Sequence, residues 1–442
     1  MSKINPHSGI GKVDRLTVVL YLFFVFFGWM TIYSTAFHIQ NPSPFDLDTE
    51  YGRQFLFMII SFGLGIFVLY VEGTFFTKFA FVIYTFFTFL LVLVLLVGKE
   101  VNGAKAWFAI GNFGIQPSEF SKVGVALLLA KYITDSGEQF RRWKTRIISA
   151  IIVGVPPALI LLQPDVGSVL TFLAFILVMY REGLSGNVLV IGLAAIAFGV
   201  LSIVSGAGTI NVPFAGEQSG VWLLILIVIL LGVISWGLVR NFIVPRNRRP
   251  LYWIVAISVV ASSAFSYSVS YIVDNVLERH HKERIYVMLS LPVEREDAAY
   301  NSEMAKITVG SGGFFGRGFM NGPMTQNNFV PEQWTDFIFS SIAEEWGFLG
   351  SALVIGLFTF LIVRIILIAE RQRSKFSRVY GYCVAMVFFM HLLINVGMVI
   401  GLAPIIGIPL PFFSYGGSSL MGFTLLLFIL LRLDAERLNI LR

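Results

Sequence analysis

Long apolar segments alternate with short polar connections along almost the whole chain. Most of them approach the ~20 residues that cross a bilayer as an α-helix. Two, at 119–134 and 167–181, are shorter, which indicates tilted or broken helices. The segments lie at about 16–37, 54–71, 75–98, 119–134, 147–163, 167–181, 187–205, 219–240, 251–273, 346–369, 379–402 and 417–432. The pattern predicts an all-α polytopic membrane protein.

Composition supports this class. The 442 residues are 56% hydrophobic and 13% charged, and the mean hydropathy is +0.80, which excludes an ordinary soluble protein. The first segment starts near Leu16, is too long for a signal-peptide core and lacks a small-residue cleavage site, so we expect it to remain as a span.

Basic residues are concentrated in alternate connections, and this side is predicted to be cytoplasmic, with both termini inside. The net charge of +6 therefore follows from topology and does not indicate a nucleic-acid partner. The residues are Lys3, Lys12, Arg15, Lys131, Arg141, Arg142, Lys144, Arg146, Arg240, Arg246, Arg248, Arg249, Arg371, Arg373, Lys375, Arg378, Arg432, Arg437 and Arg442. Segments with unusual chemistry, above all 99–118, 274–345 and 403–416, fall on the outer side, which favours an extracytoplasmic substrate.

Residues 401–421 interrupt two apolar runs with three prolines and the cluster Ser-Tyr-Gly-Gly-Ser-Ser at 414–419. Irregular backbone at membrane depth survives only where protein buries it or a wet cavity satisfies it. The segment therefore predicts a polar cavity inside a helical bundle, with Ser414 and Ser418 as candidate substrate-binding residues.

Two polar breaks on the outer side carry candidate site residues. At 116–119, Gln-Pro-Ser-Glu is typical of a helix start, with Ser118 as the predicted N-cap. Glu119 and Lys122 are three residues apart and can pair on one helix face. Such a pair is either a structural ion pair or a charged wall of the cavity. Asp165 likewise either caps the following helix or faces the cavity.

The segment 274–345 is a long extracytoplasmic loop in this prediction. It holds a basic cluster at 279–284 and an acidic cluster at 294–297. Both clusters could simply be solvated. Alternatively, Arg and Lys hold a pyrophosphate and a carboxylate acts as a general base on a sugar hydroxyl, which suits an anionic lipid-linked substrate. The adjacent His280 and His281 lack further spaced metal ligands, and the glycines at 310–318 lack the Lys-Ser/Thr ending of a nucleotide loop.

Motifs spread along the chain resemble the SEDS family (shape, elongation, division and sporulation). Residues 45–47 and 51–54 favour its rod-shape branch over its division branch. The matching motifs are 103–107 with 116–119, 162–167, 310–313, 331–339, 344–345, and 395–398 with 414–419.

The resemblance implies a helical bundle with a family core of ten spans. We assign the two extra spans to an insertion at about 206–273 within a single membrane domain, 1–442. It also implies a peptidoglycan glycosyltransferase of the bacterial cytoplasmic (inner) membrane, which polymerises lipid II into glycan strands during cell elongation. The expected partners are a class B penicillin-binding protein and other membrane proteins of the elongation complex.

The family's catalytic Asp lies in an Asp-Pro-x-Gly-x-Gly-Tyr pattern, and this chain departs from that pattern. Counting back from Tyr300 places Glu294 at the Asp position, Arg295 at Pro and Asp297 at Gly. Further on, 304–305 and 323–324 are Met-Ala and Pro-Met where the family has Gln-Ser and Thr-Gln.

By resemblance, Glu294, or else Asp297, deprotonates the acceptor's GlcNAc 4-hydroxyl. Arg284, Lys105 and Lys306 stabilise the departing polyprenyl pyrophosphate, with Mg²⁺ or Mn²⁺ as a candidate cofactor. Residues expected to shape the cavity are Glu119, Lys122, Asp165 and Asp336. Two alternatives stay open: a non-catalytic scaffold that activates a penicillin-binding protein, and a lipid II flippase, which would require a polar path through both leaflets.

Overall fold

A computed structural model describes residues 13–37, 43–101, 104–110, 113–137, 142–212, 216–275, 282, 286, 289, 291 and 296–437. Every predicted apolar segment is helical within these ranges, and ten of the described helices are long and apolar enough to cross a membrane. The remaining two segments are the ones that the sequence marks as short. The prediction of an all-α polytopic membrane protein is confirmed. The chain divides into two compact units, Met1–Leu184 with Asn301–Arg442, and Ser185–Tyr300.

The first unit holds most of the helices and a small sheet. Before the second unit come α1 (Arg15–Thr35), α2 (Glu50–Tyr70), α3 (Gly73–Val97), β1 (Lys99–Val101), β2 (Ala104–Ile110), β3 (Phe113–Ile115), α4 (Pro117–Asp135), α5 (Trp143–Leu161), α6 (Val166–Thr171) and α7 (Leu173–Arg181).

The second unit contains α8 (Gly186–Gly206), a hairpin of β4 (Thr209–Val212) and β5 (Gly216–Ser219), α9 (Val221–Phe242) and α10 (Pro245–Asn275). Only 6% of the apolar window of α8 and of α10 is buried, as expected of helices whose surface contacts lipid. The two-span insertion at about 206–273 stays a prediction.

After the second unit the chain continues through α11 (Glu296–Ser311), whose first turn belongs to that unit, α12 (Pro323–Gln326), α13 (Ile338–Glu370), α14 (Lys375–Val399) and α15 (Gly417–Ala435). The last helix is the centre of the first unit: 89% of its apolar window is buried, against 17% for α3. It packs against α2, α4 and α14. Tyr21 of α1 reaches it through a 3.0 Å hydrogen bond with Thr424.

Three local expectations differ from the structure. Ser118 does not cap α4, because the helix begins at Pro117, two residues before the start that a Ser118 cap implies, and Gln116 occupies the cap position. The missing N–H and fixed φ of Pro117 suit a first helical position. The segment 99–118, for which no strand was predicted, contains the three described strands of an antiparallel sheet in the order β1-β2-β3, followed by the start of α4. The predicted loop 274–345 contains α11 and α12, and α13 begins at Ile338 and bends at Gly347, where the apolar run starts.

Candidate functional site

The segment between α14 and α15 is irregular, as predicted, and its second half, from Ile408 to Ser414, is largely buried. Its backbone turns through left-handed conformations at Gly401 (φ +81°), Gly407 (φ +67°) and Gly416 (φ +151°), which favour glycine. The apolar side chains at 408, 410, 412 and 413 are each at most 2% exposed. Protein therefore surrounds the backbone of 408–414, and the groups that satisfy this backbone define the candidate site.

Close backbone approach fixes the position of this segment. A Cβ atom on Gly167, near the start of α6, would lie 2.1 Å from the carbonyl oxygen of Ile406. A Cβ on Gly28 of α1 would lie 2.6 Å from the Cα of Phe413. Both contacts require glycine, so α1 and α6 hold the segment from two sides.

A first polar group joins the starts of α4, α6 and α15. The Gln116 side-chain amide donates to Asp165 Oδ2 (3.0 Å), and the Gln116 backbone N–H donates to Ser418 Oγ (2.9 Å). Asp165 also accepts from the backbone N–H (3.0 Å) and hydroxyl (2.6 Å) of Ser168. Asp165 thus caps its helix, as one interpretation predicted, and also accepts from Gln116 at the start of α4. The alternative, that its carboxylate faces a cavity, stays a prediction.

A second group, here called the Lys122 group, consists of Glu119, Lys122 and His391 and is almost completely buried. Lys122 Nζ lies 2.8 Å from Glu119 Oε1 and 2.9 Å from His391 Nε2. The ammonium also lies over the Phe423 ring, 5.2 Å from its centroid. The predicted ion pair therefore exists, and the structure adds a histidine to it.

Asn395 and Asp336 form a third contact with the irregular segment. The Asn395 amide donates to the carbonyls of Ile408 (2.7 Å) and Asp336 (2.8 Å). The Asp336 side chain approaches Gly407, where an added Cβ would lie 3.0 Å from Oδ2. Asp336 is thus adjacent to the irregular segment, and its role in shaping the cavity stays a prediction.

Two adjacent carboxylates at the start of α13 hold the 311–325 loop. Glu344 accepts from Ser311 Oγ (3.0 Å), from the N–H groups of Met324 (2.9 Å) and Thr325 (2.8 Å), and from Thr325 Oγ1 (2.6 Å). Glu345 accepts from Ser34 Oγ and from the N–H of Met320 (3.1 Å). The loop that carries the family's altered 323–324 positions is therefore anchored by buried carboxylates.

We expect Glu344→Gln to loosen this loop. The Gln amide offers one acceptor oxygen in place of two and points its N–H₂ group at donors. We therefore expect the free energy of unfolding to fall by on the order of 2 kcal/mol. Limited proteolysis should cleave the variant faster within 312–325. Glu332→Gln changes an exposed carboxylate of the same region and serves as the control. Equal cleavage rates for Glu344→Gln and the unsubstituted protein would contradict the anchor.

Three other predicted residues lie outside these groups. Lys105 Nζ donates to the Leu96 carbonyl (3.1 Å) at the end of α3. Lys306 is exposed on α11, with its side chain against Gly401. Ser414 Oγ accepts from the Leu410 N–H (2.8 Å) within its own segment. Their roles as substrate-binding residues stay predictions.

The proposed catalytic loop lies largely outside the described residues. Glu294, Arg284 and the histidine pair fall there, and of Asp297 only its backbone, in the first turn of α11, is described. In the part of the chain that the structure describes, no cluster of three or more His, Cys, Asp or Glu side chains could hold a metal ion.

Tyr415 and Asp14, both outside the spans of the first unit, have shifted pKa values. Burial raises the pKa of the Tyr415 phenol, whose ring packs against Phe57, so this hydroxyl stays protonated at neutral pH. Burial alone would raise the pKa of Asp14, but hydrogen bonds from Arg364 and Thr17 outweigh it and hold that pKa well below its usual range. Asp14 therefore ties the start of α1 to α13 as a carboxylate.

Sequence reasoning missed His391 and gave Asn395 no role. The available signal was a histidine inside an otherwise apolar helix, since ionisable residues at membrane depth are costly and usually have a partner. Asn395 lies one turn further on the same helix face. Both residues donate to the irregular segment.

Comparison with known proteins identifies the family. The model of the FtsW/RodA/SpoVE cell cycle proteins matches residues 14–211 and 215–439. The peptidoglycan glycosyltransferase RodA of Treponema pallidum is 31% identical over 97% of this chain and 99% of its own length. The peptidoglycan glycosyltransferase MrdB of Escherichia coli K12 is 29% identical over 75% of this chain and 71% of its own.

Solved structures share the fold. A chain from a peptidoglycan synthase complex has a TM-score of 0.64 at 24% identity, covering 96% of this chain and 98% of its own. The rod shape determining protein RodA of Thermus thermophilus has a TM-score of 0.59 at 23% identity, covering 96% and 97%. The chain belongs to the FtsW/RodA/SpoVE family, the SEDS family that its motifs resemble.

Proposed function

We propose that this protein is a peptidoglycan glycosyltransferase that polymerises lipid II during cell elongation and cell-shape maintenance. Similarity over 97% of its length to the T. pallidum protein named peptidoglycan glycosyltransferase RodA carries this proposal. The distribution of basic residues favours the bacterial cytoplasmic membrane with both termini inside.

The proposed reaction transfers the growing glycan with inversion at the donor sugar C1. The acceptor's GlcNAc 4-hydroxyl loses its proton to Glu294, or else to Asp297, and its oxygen bonds to C1. The bond from C1 to the polyprenyl pyrophosphate breaks, and the pyrophosphate leaves with the electron pair. Cationic side chains lower the energy of that leaving group, and Lys105, Lys306 and Arg284 are the candidates.

A divalent cation, Mg²⁺ or Mn²⁺, enters the proposal as a condition to be varied in the activity assay. Within the described ranges no set of side chains fits a metal site, and the Glu344 oxygens are occupied by four donors. No step of the reaction is therefore assigned to Mg²⁺ or Mn²⁺.

A class B penicillin-binding protein is the proposed partner, together with other elongation-complex membrane proteins. Support comes from the shared fold with a chain of a peptidoglycan synthase complex. The second candidate function is a scaffold that activates this partner without polymerising lipid II. It is favoured by the replacement of the family's catalytic Asp pattern at 294–297.

The test is glycan strand formation from purified lipid II, by the protein alone and with its partner, with Mg²⁺, with Mn²⁺ and with EDTA. We expect polymer from the unsubstituted protein and a loss of at least about a hundredfold in Glu294→Gln with Asp297→Asn, since a general base contributes 10²–10⁴ in rate. Glu296→Gln, in the same acidic cluster, is the matched control.

Full activity in the double variant would remove the base assignment. Absence of polymer under every partner and metal condition, with the complex intact, would replace the enzyme by the scaffold.

A further inference from the structure

His391 uses both ring nitrogens to bridge two parts of the site. Its Nδ1 lies 3.1 Å from the Pro409 carbonyl oxygen, and its Nε2 lies 2.9 Å from Lys122 Nζ. A carbonyl can only accept, so the ring hydrogen is on Nδ1 and Nε2 accepts from the ammonium. The imidazole therefore connects the Lys122–Glu119 ion pair to the irregular segment before α15.

The irregular segment depends on α14 for its hydrogen bonds. Asn395 donates to the carbonyl of Ile408, and His391, one turn earlier on the same face, donates to the next carbonyl, that of Pro409. A buried carbonyl without a donor loses its hydration without replacement. Two successive turns of one helix thus hold two successive carbonyls.

The surroundings of His391 leave it little freedom. Its side chain is 1% exposed, and its ring meets Phe423 of α15 edge-on at 4.8 Å between centroids. Lys122 is fully buried beside the same ring. A shift of the imidazole would therefore move the ammonium, the segment or α15.

We propose that His391 is a positioning residue for glycosyl transfer: it holds segment 403–416 in register with the Lys122–Glu119 pair and so fixes the Ser418–Gln116–Asp165 contacts at the start of α15. This inference rests on the proposed function and adds a residue to it. Histidine suits the task because it has a donor and an acceptor on opposite sides of a rigid ring.

Three substitutions separate the two contacts. His391→Phe keeps the ring and removes both. His391→Gln keeps an acceptor at the Nε2 position for Lys122 but loses the donor to Pro409. His391→Asn keeps a donor at the Nδ1 position but is too short to reach Lys122. Leu393→Ala, on the lipid-exposed face of the same helix, is the control for insertion and expression.

The experiment measures kcat and KM for lipid II polymerisation in the presence of the partner. Size-exclusion chromatography gives the amount of folded protein, to which kcat is normalised. The melting temperature of each variant is measured in parallel. We expect His391→Phe to lower kcat at least about tenfold, because misplacement of 1 Å can cost about a hundredfold, with KM changed less than about threefold. Gln and Asn should each recover part of kcat. If His391→Phe does not fold, a lower kcat at unchanged KM in Gln or Asn supports the proposal equally.

Two results would overturn the inference while leaving the proposed function standing. A histidine that only stabilises the fold would lower the melting temperature and leave kcat per folded molecule within about twofold. A histidine that contacts substrate would raise KM instead. An inactive unsubstituted protein would overturn the proposed function, and the positioning role with it.

Discussion

The Lys122→Met variant should have a melting temperature well below that of the unsubstituted protein. The Glu119 carboxylate, 3% exposed, would then lie in the bundle without the ammonium 2.8 Å away. Removing one partner of a buried ion pair typically costs 3–5 kcal/mol, because the remaining charge keeps its desolvation penalty. The melting temperature is measured by heating the detergent-solubilised variants and following the loss of the folded peak by fluorescence-detected size-exclusion chromatography.

Adding Glu119→Gln to Lys122→Met should restore most of the lost stability. In Lys122→Met with Glu119→Gln both charges are gone, and neutral side chains of similar length fill the same space. Exchange of a buried pair for neutral groups is often close to neutral in stability. We therefore expect the double variant to melt above Lys122→Met. If it melts lower instead, the damage comes from packing and not from an unpaired charge.

Arg53→Met supplies the control, because Glu50 and Arg53 have the same spacing on α2 but are about a quarter exposed. An exposed pair contributes up to about 1 kcal/mol. If Arg53→Met lowers the melting temperature as much as Lys122→Met does, burial of the ion pair is not the cause of the destabilisation.

The helices could be predicted because the bilayer imposes one rule on each of them separately. A span in lipid must satisfy its backbone internally and present apolar side chains, so hydrophobic runs mark the helices without any knowledge of tertiary contacts. The start of α13 shows the limit of the rule. There Glu344 and Glu345 continue the helix beyond the apolar run, and their partners come from a distant loop.

The site follows the same division between local and distant contacts. Glu119 with Lys122, and Asp165 with Ser168, are three residues apart, and local geometry predicts both. His391 meets Lys122 across 269 positions of sequence, and no pattern around either residue indicates that contact. The sheet β1–β3 could not be predicted from its pattern, because β1 and β3 have three residues each and are too short to show an alternation of apolar and polar positions.

Gly347 is a position where one added methyl group should strongly destabilise the first unit. Its backbone, at φ +66° and ψ −164°, lies in a region that essentially only glycine occupies. An added Cβ would lie 2.3 Å from the backbone nitrogen of Gly316, which itself has φ +85°. The bend of α13 and the glycine loop 310–318 therefore touch backbone to backbone.

Four hydrogen bonds depend on that contact. Arg317 and Gly318 donate to the carbonyls of Glu344 and Glu345 (both 2.9 Å), and the N–H groups at 348 and 349 donate to those at 313 and 314 (2.9 and 3.2 Å). These bonds satisfy the backbone groups that the bend frees from the helix. Separating the two backbones would break them together and displace the Glu344 and Glu345 anchors.

Gly347→Ala should therefore cost about 4 kcal/mol or more, of which backbone strain supplies 1–3 kcal/mol and the clash with the loop the remainder. The same melting assay, with lipid II polymerisation per folded molecule, checks this expectation. Gly356→Ala, on the same helix with no atom within 4 Å of the added Cβ, should be neutral or stabilising by up to about 1 kcal/mol. If both variants melt alike, the backbone contact at Gly347 does not hold the bend, and the loop must be anchored by the two carboxylates alone.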